Sequence, residues 1–197
     1  MMKQPSFMES LKTARHYGLG EFLEIIGELS QESTKKGVLD RKQKELITLG
    51  IALAKGCHRC IEIHTDAARK MGASETELQQ VRKIALYTQA SPEHRHSHDL
   101  WHAWSDSWRE FSLSKGCLDH HCRELIGLGI AIVQQDARLI ELHVKGALSH
   151  NASPEEIFEV MPIALLMDGA PALSQIPQLV YALEQAQHPE TTEAVAA

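Results

Sequence analysis

Residues 45–52, Glu-Leu-Ile-Thr-Leu-Gly-Ile-Ala, return 79 positions later as Glu-Leu-Ile-Gly-Leu-Gly-Ile-Ala at 124–131. The match runs on without a gap, laying Arg59 on Arg138, Ile61 on Ile140, Glu62 on Glu141 and His64 on His143. Between residues 45–64 and 124–143, 11 of 20 positions are identical, which identifies a tandem duplication rather than a chance likeness. The same offset pairs Gly37 with Gly116, Asp40 with Asp119 and Ser74 with Ser153. Phe22, Ile25 and Leu29 fall on Trp101, Trp104 and Trp108, an apolar row at helical spacing in each copy. The repeated unit covers about 20–90 and 99–169, and we divide the chain into 1–98 and 99–197. A period this long, seen twice, reads as a duplicated domain-sized unit and not as a solenoid.

Each unit reads as helix. Asp40 with Gln43 three residues on makes an N-terminal capping box. Lys44 to Lys55 is then apolar on nearly every face until Gly56, the pattern of a buried helix. A second helix is expected from near Cys57 to Met71, with Gly72 ending it. Ser74 and Glu77 start a third, as Ser153, Pro154 and Glu156 do in the second unit. No stretch sustains a period-2 alternation and no hairpin signal joins two β-branched runs. The fold class is all-α, a helical bundle of two tandem units. Ser91 to Asp99 reads as a polar, His-rich connector, Asp168-Gly169-Ala170-Pro171 as a turn, and Ile176 to Ala186 as a last helix. The segment after His188 reads as a disordered tail.

The 197 residues carry 20 Lys plus Arg against 26 Asp plus Glu, a formal charge of −6, with no basic stripe to neutralise phosphates. Nucleic acid is therefore not an expected partner. Nor is a membrane, because no apolar run approaches the ~18 residues a span requires. Met1 to Leu29 interleaves charges with its apolar residues and lacks a signal-peptide core. Four cysteines are too few for a disulfide scaffold, so a cytoplasmic location is expected.

The chemistry concentrates at Cys57-His58-Arg59-Cys60 and His64. Two thiols at this spacing on the first turn of a helix can close a disulfide, and the helix N-terminus favours thiolate over thiol. His64 lies one turn beyond Cys60 on the same face, within reach as base or proton donor. Glu45 is the odd acid in the apolar helix and needs a partner if buried. A chain Glu45–His64–Cys60 supplies one: the carboxylate orients the imidazole and the imidazole takes the thiol proton. A thiolate beside a second thiol is the minimum equipment for reducing a peroxide. Other readings stay open. The Cys pair with His64 and either His58 or Glu45 could assemble four zinc ligands, the thiols have a lesser reading as inert and buried, and Glu45 one as a solvated or capped acid at the helix start. In the second unit Asp136 and Leu139 replace the cysteines, so Glu124 and His143 are left as a buried hydrogen-bonded pair without thiol chemistry.

Taken together, Glu45, Cys57-x-x-Cys60, His64 and the following Ala67-Ala68 and Gly72-Ala73-Ser74 resemble the core motif of the AhpD-like alkylhydroperoxidases of the carboxymuconolactone decarboxylase superfamily. The likeness covers 37–90 well and 116–169 in degenerate form. It implies a helical bundle that assembles as a homo-oligomer, with a trimer favoured if each chain mimics a family dimer. It implies Cys60 as the peroxidatic thiol, Cys57 as the thiol that closes the disulfide and meets the reductant, and His64 with Glu45 as the proton relay. It implies a hydroperoxide substrate, a dithiol electron donor such as a dihydrolipoyl-bearing protein, and no metal or organic cofactor. The decarboxylase branch, which generally lacks the Cys pair, is the rival, followed by a general thiol–disulfide oxidoreductase and a non-catalytic oligomerisation module. Arg59 stands where some members carry His.

Other signals are weaker. His94, His96, His98 and His102 suggest adventitious metal binding. Cys117, aligned with Val38, reads as a small apolar residue, and Cys122 lies near the start of the second buried helix. Trp101, Trp104 and Trp108 read as core or inter-unit packing.

Overall fold

The computed structural model describes residues 6–92 and 98–188. The first unit begins with α1 (Phe7–Ala14), a π-helical turn at Arg15–Leu19, and α2 (Gly20–Thr34). It continues with α3 (Arg41–Lys55), α4 (His58–Lys70) and α5 (Glu75–Gln89). The second unit repeats the order as α6 (His98–Leu113), α7 (His120–Gln134) and α8 (Ala137–Ser149). Its third helix is broken into α9 (Pro154–Phe158) and α10 (Val160–Asp168). Two further helices, α11 (Ala170–Leu173) and α12 (Ile176–Gln187), follow. The described residues contain helices and no strands. Among them, no helix is long and apolar enough to cross a membrane.

The caps form as the residues dictate. Asp40 accepts from Gln43 N at 2.8 Å, and the Gln43 side chain returns to Asp40 N at 2.9 Å. Gly56 ends α3 at φ +64°, a backbone state that costs a residue with a side chain and costs glycine little. One local expectation needs correction, and two differences between the copies appear. The third helix of unit two does not run through: it breaks at Glu159, because the ring of Pro162 clashes with the carbonyl four residues back, at Phe158. The segment 168–171 is more than a turn, since Gly169 leads into α11. Phe22 and Ile25 are exposed, although their repeat partners Trp101 and Trp104 are partly buried. His94, His96 and the segment after His188 lie outside the described residues.

α3 and α7 cross at the centre, and the relation is reciprocal. A β-carbon on Gly50 would stand 2.7 Å from Ile126 Cγ2, and one on Gly129 would stand 3.0 Å from Ile47 Cγ2. At the offset of the duplication Gly50 is Gly129 and Ile47 is Ile126, so the same pair is made twice across a pseudo-twofold axis. The third helices obey the same axis. Glu159 accepts from Val38 N at 3.2 Å and Leu39 N at 2.6 Å, while its counterpart Gln80 accepts from Cys117 N at 3.1 Å and Leu118 N at 3.0 Å. The duplicated chain folds as a pseudo-dimer in cis. One hydrophobic core runs through both units, taking Leu46, Leu49 and Ile51 from α3 and Leu125, Leu128 and Ile130 from α7. The aromatic row of α6 sits on the other unit: Trp104 Nε1 donates to Tyr87 O at 3.3 Å, and Phe111 stacks on the Tyr87 ring at 5.0 Å.

Candidate active site

Cys57 is the N-cap of α4, and its sulfur accepts from the backbone N–H of Cys60 at 3.4 Å. The replacement in unit two does the same work: Asp136 caps α8 by accepting from Arg138 N at 3.0 Å and Leu139 N at 3.2 Å. Cys57 is thus both an element of helix termination and half of a disulfide, for Cys57 and Cys60 are joined, with Cα atoms 5.3 Å apart. Both residues keep partial exposure at the protein surface. Between them Arg59 reaches Glu62 at 3.4 Å and lies over the Phe7 ring at 5.4 Å. This contact brings α1, which no sequence pattern announced, to the edge of the site.

Further along α4, His64 Nδ1 and Glu45 Oε2 are 2.8 Å apart. Glu45 comes from α3 and is nearly buried, its side chain 8% exposed, while that of His64 is 14% exposed. A carboxylate at Glu45 accepts from Nδ1–H, and in that tautomer Nε2 is the ring's basic nitrogen. The four residues singled out from sequence form two pairs, Cys57 bonded to Cys60 and Glu45 hydrogen-bonded to His64, and α4 carries one member or more of each. Helical spacing sets Cys60 and His64 one turn apart on α4.

Unit two repeats the pair in a different setting. His143 Nδ1 is 2.8 Å from Glu124 Oε2, and the His143 side chain is 0% exposed. α6 closes over it: Trp108 Nε1 donates to both carboxylate oxygens of Glu124 at 3.2 Å, and Ser112 Oγ donates at 2.5 Å. The Trp108 ring meets the His143 ring edge-on at 4.9 Å. Among the described residues, the buried His143 Nε2 has no hydrogen-bond partner. A cavity of about 270 Å³ opens between α6 and α8 with Glu124 on its floor. These donors escaped sequence reading, because Trp108 aligns with Leu29, which has no N–H to offer.

Cys117 does not behave as a small apolar residue: it is exposed, and its sulfur lies 3.1 Å from Gln80 Oε1. Cys122 is buried. His98 and His102 place their Nε2 atoms 2.9 Å apart on the first turns of α6. Among the described residues, no group of three or more His, Cys, Asp and Glu side chains is arranged to hold a metal ion.

The model of the Carboxymuconolactone decarboxylase family matches this chain twice, at residues 20–103 and 101–180, and the chain belongs to that family. It is similar to an uncharacterized protein, YdfG, of Bacillus subtilis (strain 168), 38% identical over 48 residues, which are 24% of this chain and 33% of that one. It is also similar to uncharacterized protein 4 in the cox locus of Paracoccus denitrificans, 30% identical over 69 residues, 35% of this chain and 62% of that one. The matched segments thus span a third and somewhat under two thirds of these relatives. No solved structure matches the chain significantly.

Proposed function

We propose that the chain is a thiol-dependent hydroperoxide reductase whose chemistry is confined to the first unit. The observation that supports this most directly is a bonded Cys57–Cys60 pair at the mouth of α4, one turn from an imidazole whose Nδ1 is tied to Glu45 at 2.8 Å. In the reduced enzyme His64 Nε2 takes the Cys60 proton. The thiolate attacks the terminal peroxide oxygen, the O–O bond breaks, and the alcohol leaves with a proton returned through His64. Cys60 is then a sulfenic acid. Cys57 attacks its sulfur, releasing water and closing the disulfide. A dithiol donor restores both thiols by exchange, entering at Cys57, the more N-terminal sulfur at the cap. The Glu45 carboxylate keeps Nδ1 protonated and stabilises the imidazolium while it exists.

The partners that follow are a hydroperoxide, a dithiol electron donor of the dihydrolipoyl type and further copies of the chain, with a trimer reproducing six units. The cytoplasm suits a disulfide that must be reduced at each turnover. The family's name refers to a decarboxylase; the Cys pair favours redox chemistry over that reaction. The test is peroxide consumption with several dithiol donors. Cys60→Ser is expected to abolish turnover, and Cys57→Ser to leave a sulfenic acid that dimedone traps. Disulfide exchange on model substrates without peroxide consumption would assign the same atoms to a general oxidoreductase. An oxidised protein that never holds the Cys57–Cys60 bond by mass spectrometry would end the proposal.

A further inference from the structure

The two Glu–His pairs share one bond length but not one position. In unit two, α7 carries Gly127 where α3 carries Thr48, and α8 carries Gly146 where α4 carries Ala67. A β-carbon on Gly127 would stand 2.6 Å from His143 Nδ1 and 2.7 Å from Nε2, inside the ring's own volume. A β-carbon on Gly146 would stand 2.7 Å from Glu124 Cδ. The seat in which His143 and Glu124 lie exists only because both positions lack a side chain. In unit one both β-carbons are present, and Thr48 is fully buried with its hydroxyl turned to Lys44 O at 2.7 Å. A β-carbon fills that seat in unit one, so His64 cannot lie in it, and its side chain keeps 14% exposure where that of His143 has none.

We infer that Thr48, with Ala67 beside it, is a positioning residue that bars the His64 imidazole from the buried seat and so keeps Nε2 on the side of α4 that carries Cys60. The α6 lid then marks the sealed copy and the two β-carbons mark the open one. Nothing in the Cys-x-x-Cys motif requires a residue at 48, yet without a β-carbon there the imidazole has room to enter the seat that His143 occupies in unit two. This inference rests on the reading of His64 as the base for Cys60.

The experiment measures how fast iodoacetamide alkylates Cys60 as a function of pH, in the reduced full chain carrying Cys57→Ser, with the Cys60 peptide followed by mass spectrometry. The rate reports the thiolate fraction. Thr48→Gly is expected to move the midpoint up by about one pH unit and to slow alkylation at neutral pH by about tenfold. Thr48→Ala keeps the β-carbon and is expected to stay within about twofold of the parent. His64→Ala is expected to match Thr48→Gly, and the double variant to add nothing further, since both remove one interaction. Ala67→Gly, which opens the carboxylate half of the seat, is expected to shift the profile the same way by less, and it reports if Thr48→Gly does not fold. Glycine variants that keep the parental profile while His64→Ala shifts it overturn this inference alone. A His64→Ala profile identical to the parent overturns the proposed relay and this inference with it.

Discussion

Gly50 is pressed against Ile126: a methyl group in place of its α-hydrogen would lie 2.7 Å from Cγ2 of that residue, well inside van der Waals contact. Its repeat partner Gly129 meets Ile47 in the same manner but with slightly more room, 3.0 Å. Helix propensity favours alanine over glycine by about 1 kcal/mol, and overpacking a rigid core costs about 1–3 kcal/mol. Gly50→Ala is therefore expected to destabilise the protein and Gly129→Ala to do so less. Urea denaturation of the two variants checks this order. Equal or increased stability for Gly50→Ala would contradict the closeness of the crossing.

Trp108 supplies Glu124 with the N–H that its counterpart Leu29 cannot give to Glu45. Trp108→Phe keeps an aromatic ring but leaves a buried carboxylate short of a donor, at a cost of about 1–3 kcal/mol. The melting temperature is expected to fall by roughly 2–4 °C per kcal/mol for a chain of this size. Peroxide turnover by the folded fraction is expected to stay at the parental level, because the chemistry is proposed for the other unit. A calorimetric scan and the peroxide assay on one preparation settle both halves.

The two cysteines outside the site are expected to differ in reactivity. Burial pushes the Cys122 thiol up to about 12, with the Asp119 carboxylate adding to it, so at neutral pH it has almost no thiolate. Cys117 is exposed. In the native oxidised protein, alkylation followed by mass spectrometry is expected to label Cys117 alone, and Cys122 only after unfolding. Labelling of Cys122 in the folded protein would show that the α7 N-terminus opens.

Glu77 ties α5 to α3: it accepts from Ser74 N at 2.7 Å and from Lys42 Nζ at 2.9 Å. Burial pushes its carboxyl up, but the Ser74 N–H, the Lys42 ammonium and the Ser74 hydroxyl outweigh it and hold the carboxyl below its ordinary value of 4.5. A carboxyl lowered on folding stabilises the folded state above that value, and the contribution is lost as pH falls through the folded-state pKa. Glu77→Gln is expected to be less stable than the parent at neutral pH, with the gap closing in acid. Urea midpoints over a pH series give the comparison, and a gap that does not narrow below pH 4.5 would refute the assignment.

The helices and the Glu45–His64 partnership were legible because the duplication displays each twice at the same 19-residue separation. Caps such as Asp40 with Gln43 were legible because their partners are three residues away. What escaped depends on contacts distant in sequence. Gln80 captures the Cys117 backbone and sulfur from 37 residues away, and Val38, with which Cys117 aligns, is itself exposed, so an apolar partner in the alignment was no sign of burial. Trp108 reads as core in any helical pattern, and only the packing of α6 over α7 turns its N–H toward Glu124. The break at Glu159 was available in principle from Pro162. The Thr48 and Gly127 difference stood in the alignment from the start, but its meaning is steric and needs the imidazole in place.

The reciprocal contacts of Gln80 and Glu159 join surfaces that separate subunits would have to find by diffusion. Here both surfaces belong to a single polypeptide, so the partner of the first unit is present at a fixed local concentration however dilute the protein becomes. A chain built in this way keeps α3, which carries Glu45, packed on α7 at any dilution.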